Sequence, residues 1–141
     1  MMHNAFHTLG MPVVFDVDAN DLEHRYESMH RVLHSAKKDR ALMQGNESLR
    51  SMSLLNESYN RIKNPLTRAQ HILEIYGFWP VSDDPDLLDS LLDFQPTKEQ
   101  AQVRYDQSIS SFSCAFHEKN WHDAQKAYWW MVRMHRTLNN G

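Results

Sequence analysis

The chain has 141 residues, 41% hydrophobic and 23% charged, with a net charge of −3 at pH 7. That make-up belongs to one soluble globular domain or two very small ones, and excludes a strongly basic nucleic-acid face on charge alone. Its longest apolar run, Ala127 to Val132, is far short of the roughly 20 residues that cross a bilayer, so no membrane partner is expected. Four glycines and five prolines leave little turn material for an all-β fold. A single cysteine, Cys114, cannot form an internal disulfide, and the opening MMHNAFHTLGMP lacks the charged-then-apolar pattern of a secretory signal. Cytoplasmic location is the expectation.

Apolar residues recur at helical spacing almost throughout. A short helix is predicted over Asn4 to Leu9, before Gly10-Met11-Pro12. Leu22, Tyr26, Met29 and Leu33 then form one stripe, with Asp18 as N-cap and Asp21 in the first turn; it reads as ending near His34. After a loop containing Gly45-Asn46, a second stripe runs Leu49, Met52, Leu55, Tyr59, Ile62. Asn64 caps a third helix with Pro65 at its first position, carrying Leu66, Ala69, Leu73 and Tyr76 and stopped by Gly77.

FWPVSDDPD, residues 78–86, holds two prolines and three acids and reads as a linker. LLDSLLDF follows, broken by Pro96. Thr97 and Gln100 have the form of a capping box opening a stripe through Ala101, Tyr105, Ile109, Phe112 and Phe116. Asn120 caps a last helix with Trp121, Ala124, Tyr128, Met131 and Leu138 on one side. The expectation is an all-α chain of two helical units, 1–80 and 81–141. Cys114, within SFSCAFH, reads as a small core residue.

Several motifs occur in a recognisable order: FHTLGMP at 6–12, FDVDANDLEHRYESMHRVLH at 15–34, and LNESYNRIKNPLTRAQHILEIYGF at 55–78. Together they resemble HscB-type J-proteins, co-chaperones of iron–sulfur cluster assembly. More weakly, LLDSLLDF and the tryptophan of NWHDAQKAYWWMV resemble the C-terminal three-helix unit of that family. The resemblance implies an N-terminal J-domain, an antiparallel helical hairpin with short helices, followed by a three-helix bundle. It also implies two partners, a DnaK-type chaperone ATPase and an iron–sulfur scaffold protein. The J-domain would stimulate the chaperone's ATP hydrolysis while residues 81–141 hold the scaffold.

The family's signature after its second helix is His-Pro-Asp-Lys; here it reads His34-Ser35-Ala36-Lys37. Proline turns the chain after the helix, and aspartate offers a carboxylate for a charge-assisted bond. Ser35 and Ala36 supply neither, and Ala favours continuing the helix. A second reading therefore stands beside the first: an adaptor that binds the scaffold but does not stimulate ATP hydrolysis. Arg25, Arg31, His34, Lys37 and Lys38 are the candidate chaperone-binding residues, a positive patch that would steer association. The plain alternative is a solvated helix face paired with Glu23 and Glu27, with His34 at a helix C-terminus.

By position, the resemblance assigns scaffold binding to Leu87, Leu88, Leu91 and Leu92, with Gln95 standing where an acid is usual. Trp130 and Met131 join them because Trp129, Trp130 and Met131 are consecutive. Each helical step turns about 100°, so at least one of the three is expected to be accessible. Among nine histidines, His30 and His34 stand four apart, as zinc ligands do. No third ligand lies nearby in sequence and there is no HExxH or CxxC, so no metal site is predicted. With no phosphate loop or nucleophile–base pair, neither an enzyme nor a cofactor is expected.

Overall fold

The computed structural model describes residues 4–39 and 45–139, except for the side chains of 36–39, 45–48 and 91–93. The described residues are all-helical, and two compact units divide the chain at His71 and Ile72.

In the first unit, α1 (Ala5–Thr8) is capped by Asn4, whose side chain accepts from the His7 amide. Gly10 then takes a left-handed φ of 66°, where a side chain would be strained. A Cβ there would also lie 3.2 Å from the Met29 methyl of α2 (Ala19–Asp39), so the turn is pressed against that helix. Asp18 starts α2 as expected, its Oδ1 accepting from the amides of Asn20 and Asp21. α3 (Gly45–Lys63) packs against α1 and α2. Tyr26 stacks on Tyr59 with ring centroids 4.2 Å apart and donates its hydroxyl to Asn56. These residues stand about equally far from the segment joining α2 to α3, which is the geometry of an antiparallel hairpin.

Phe6, Leu9, Phe15, Leu22, Leu55 and Ile62 fill the core of this unit. α4 (Pro65–Ile75) begins where Asn64 Oδ1 accepts from the Leu66 amide, with proline at the first helical position. Its first two turns close the unit through Arg68 and His71. The Arg68 guanidinium donates to the Ile62 carbonyl at 2.8 Å and lies 5.0 Å from the centre of the Phe15 ring. His71 is buried, stacked on Phe6, and its Nε2 accepts from the Ala5 amide at 2.9 Å. The first amide of α1 thus finds a partner on a helix far along the chain.

In the second unit, the end of α4 is a Schellman turn. The Phe78 amide donates to the Leu73 carbonyl and the Gly77 amide to Glu74, with Gly77 at φ 83°. α5 (Pro85–Asp93) starts on Asp84, whose Oδ1 accepts from Asp86. α6 (Lys98–His117) opens with the predicted capping box: Thr97 Oγ1 accepts from the Gln100 amide and Gln100 Oε1 from the Thr97 amide. A second Schellman turn closes α6, with Lys119 in the left-handed region at φ 57°. Asn120 then caps α7 (Trp121–Asn139) by accepting from the Asp123 amide.

Four expectations are corrected. The Gly45-Asn46 pair lies in the first turn of α3 and not in a loop, and Leu49 is exposed. α2 does not stop at His34 but runs to Asp39, because nothing at Ser35 or Ala36 interrupts it. Residues 78–84 are no tether: Phe78 stacks on Trp121, Trp79 meets the edge of Tyr128, and Gln125 donates to the Phe78 carbonyl. Cys114 is exposed, since Phe112 and Ala115 take the inward positions of that turn of α6.

Candidate functional site

Among the chaperone-facing candidates whose side chains are described, Arg25 stands apart from Arg31 and His34. Arg25 is occupied within its own unit: Nε pairs with Asp21 Oδ2 at 2.8 Å, and Nη1 donates to the Gly10 carbonyl. Its charge ties α2 to the glycine turn. The partner is Asp21, one helical turn earlier, and not Glu23 or Glu27 as the sequence suggested. Arg31 lies six positions on, about a third of a turn round the helix, and is exposed. His34, three positions further, is exposed on a neighbouring strip. The structure therefore groups Arg31 with His34 and separates Arg25 from them. The side chains of Lys37 and Lys38 lie outside the described residues.

His34 is the last rung of an aromatic ladder. Tyr59 stacks on Tyr26, Tyr26 meets His30 at 5.7 Å, and His30 faces His34 with centroids 6.4 Å apart and planes 13° from parallel. The fourfold spacing of Tyr26, His30 and His34 on one continuous helix brings the three rings into line. The repeat of aromatic rings every four residues is the sequence signal of the ladder, and the His pair is only its outer half.

The second surface is built on α5 and α7. Leu87 is half-buried and packs on the cluster of Ala101, Trp129, Trp130 and Met134, whereas Leu88 is 36% exposed. The side chains of Leu91 and Leu92 lie outside the described residues. Trp130 and Met131 are not accessible as expected; they are 9% and 0% exposed, and Trp129 is buried beside them. The accessibility argument assumed a helix covered on one side. α7 is covered on several: Phe94 meets the edge of the Trp130 ring, Arg104 of α6 stacks 4.3 Å from its centre, and Asp83 reaches Trp129.

Asp83 is a clasp that sequence reading missed. One carboxylate oxygen accepts from Trp129 Nε1 at 2.9 Å and from Arg133 Nη2 at 2.8 Å. The indole bond and then the guanidinium bond hold the Asp83 carboxyl below its usual range. Arg133 also lies 5.1 Å from the centre of the Trp129 ring. Burial, reinforced by Glu74, pushes the Tyr128 hydroxyl the other way, up from its ordinary value. Arg104 was missed too. It lines both a groove of about 480 Å³ between α6 and α7, shared with Ser108, Lys126 and Trp130, and a hollow of about 380 Å³ beside Phe94 and Val103.

Among the described residues no three His, Cys, Asp or Glu side chains come together as a metal cage, and no helix is long and apolar enough to cross a membrane. What the arrangement offers is two protein-sized faces: a capped hairpin with Arg31 and His34 outward, and a short acidic helix with Leu88 outward.

The chain is 32% identical over 132 residues to the J-type co-chaperone jac1, mitochondrial, of Schizosaccharomyces pombe, covering 78% of this chain and 56% of that protein. It is 37% identical over 76 residues to the co-chaperone protein HscB of Proteus mirabilis, covering 51% of this chain and 42% of that protein. The fold matches chaperone HscB from Vibrio cholerae with a TM-score of 0.79 at 16% identity, over 98% of this chain and 94% of that one. It matches human co-chaperone protein HscB with a TM-score of 0.77 at 17% identity, over 99% and 82% respectively. The chain resembles HscB-type co-chaperones in sequence and shares their fold.

The HscB-type fold pairs a J-domain with a C-terminal helical bundle, and both are present here. No family model matches the chain. It spans about half the length of the curated relatives it matches. Within that frame the Ser35-Ala36 departure stands inside a helix, where a turn would otherwise follow His34.

Proposed function

We propose that this chain is a co-chaperone of iron–sulfur cluster assembly, binding a cluster scaffold protein with one face and a DnaK-type chaperone ATPase with another. The similarity to a J-type co-chaperone over 132 residues, running through both units, carries this reading. Functionally the chain divides near residue 80. Residues 1–80 approach the chaperone through α2, with Arg31 and His34 outward, Lys37 and Lys38 following in sequence, and Arg25 holding the helix against the Gly10 turn. Residues 81–141 take the scaffold on Leu87, Leu88, Leu91 and Leu92, with Trp130 packed beneath Leu87 and Met131 buried in α7. The chain itself is not an enzyme and works in the cytoplasm.

A second reading, the adaptor, is favoured by one observation: α2 passes through Ser35 and Ala36 as helix and reaches Asp39. The chain lacks a turn after His34 and an acid two positions beyond it, so it would hold the scaffold without driving the ATPase. Chaperone ATP turnover, measured with and without this protein and with the scaffold present, separates the two. Stimulation supports the first reading. Scaffold binding without stimulation leaves the adaptor, and absence of scaffold binding ends both. Ser35→Pro with Ala36→Asp should then end α2 at His34 and raise turnover.

A further inference from the structure

We infer that His30 and His34 form a two-imidazole chelate for a divalent transition-metal ion of the zinc class. The two stand one helical turn apart, and α2 continues five residues beyond His34 to Asp39, so the pair sits inside a formed helix and not on a frayed end. Their rings are stacked, 6.4 Å between centroids and 13° from parallel, so their in-plane lone pairs run side by side. Rotation of the exposed His34 ring out of the stack turns a nitrogen of each ring onto one ion about 2.0–2.1 Å from both.

The inner side of the stack is firm. His30 is half-buried against Tyr26, and Tyr26 is held both by the Tyr59 ring and by Asn56. His34 is exposed, so an ion and its waters can reach the outer ring. Imidazole donors select zinc, copper or nickel, while magnesium and calcium require oxygen ligands. With two protein ligands and water in the remaining positions, the ion exchanges readily and suits a signal better than a structural staple.

The consequence rests on the proposed chaperone-docking role of α2. A bound ion would occupy the His34 imidazole and clamp the turn of α2 between residues 30 and 34, just before Ser35 and Ala36. Metal would then weaken docking to the chaperone.

Calorimetric titration of the full chain with zinc chloride, and separately with magnesium chloride, tests the chelate. Proton NMR of the imidazole carbons follows which rings respond. Zinc should perturb His30 and His34 together, and His30→Gln or His34→Gln should each weaken that binding at least tenfold. His122→Gln, on an exposed position of α7, should leave it unchanged. Glutamine keeps the helix, which circular dichroism checks. Unaltered zinc binding by the His30→Gln/His34→Gln double variant, or zinc and magnesium binding equally, overturns the chelate. If the chelate forms but chaperone binding ignores zinc, the chelate stands and docking through His34 falls.

Discussion

Replacing Arg68 by alanine is the sharpest test of how the first unit is held together. The side chain is 9% exposed, and its guanidinium does two things at once. Nη1 donates to the Ile62 carbonyl at 2.8 Å, satisfying an acceptor near the end of α3 that helix geometry leaves open. The same group lies 5.0 Å from the centre of the buried Phe15 ring. A hydrogen bond to a charged group is worth about 1.5–3 kcal/mol, and a desolvated cation–π contact up to about 2. Removing a buried charge returns part of its desolvation cost, which lowers the sum. The expected loss for Arg68→Ala is about 3 kcal/mol. Arg68→Lys, which keeps the charge but loses the planar fork, should cost about half as much. Urea unfolding followed by circular dichroism measures both. A loss below about 1 kcal/mol for alanine, or a lysine variant as stable as the parent, would refute the assignment of Arg68 as the link between α3, α4 and Phe15.

The remaining expectations concern the second unit. The folded carboxyl of Asp83 titrates below its unfolded value, so its contribution is full above the unfolded pKa and is lost as pH falls through the folded one. Tryptophan fluorescence should therefore report release of Trp129 only on acidification below the ordinary carboxylate range, and Asp83→Asn should remove that step. Lys119→Gly should stabilise by about 0.5–1 kcal/mol by relieving the left-handed backbone at φ 57°, read from the thermal midpoint. Leu87→Ser should lower stability by about 1–2 kcal/mol through lost packing on Trp130, while Leu88→Ser stays within about 0.5 kcal/mol yet weakens scaffold capture in a pull-down. Equal losses of stability at the two leucines would show that the faces of α5 are misassigned.

Local chemistry made the helix starts legible before any coordinates. Asp18, Asn64 and Thr97 each have a side-chain oxygen positioned to accept the first free amides, and each does so. Gly77 closes α4 because glycine takes φ 83° without strain. What escaped the reading was long-range. Residues 78–84 have the proline and acid content of a tether, yet one acid, Asp83, finds an indole and a guanidinium on α7. Composition cannot signal that, because the partners lie far along the chain. Trp129, Trp130 and Met131 misled for a related reason: helical periodicity predicts one buried stripe, whereas a central helix is covered on several sides at once. Of the candidate site, the sequence grouped Arg25 with Arg31 and His34, and Leu87 with Leu88; the diversion of Arg25 to Gly10 and the packing of Leu87 on the Trp129–Trp130 cluster were not legible in it.

The same contrast explains what changes at Ser35 and Ala36. A helix stops where the backbone is forced out of helical geometry or where a better partner captures its last carbonyls. Gly77 and Lys119 end their helices by adopting left-handed geometry, and each is followed by an amide that returns to the preceding turn. Nothing at Ser35 or Ala36 does either: serine is tolerated, alanine is the strongest helix former, and α2 continues through both. One substitution removes the enforced turn and the other removes the carboxylate, and they act together, since a carboxylate placed on a continuing helix would point along the wrong strip. Aspartate at position 36 alone should therefore leave chaperone turnover unchanged, while the pair with proline at 35 should raise it. Equal effects from the single and double changes would mean that the charge matters and the path of the backbone does not.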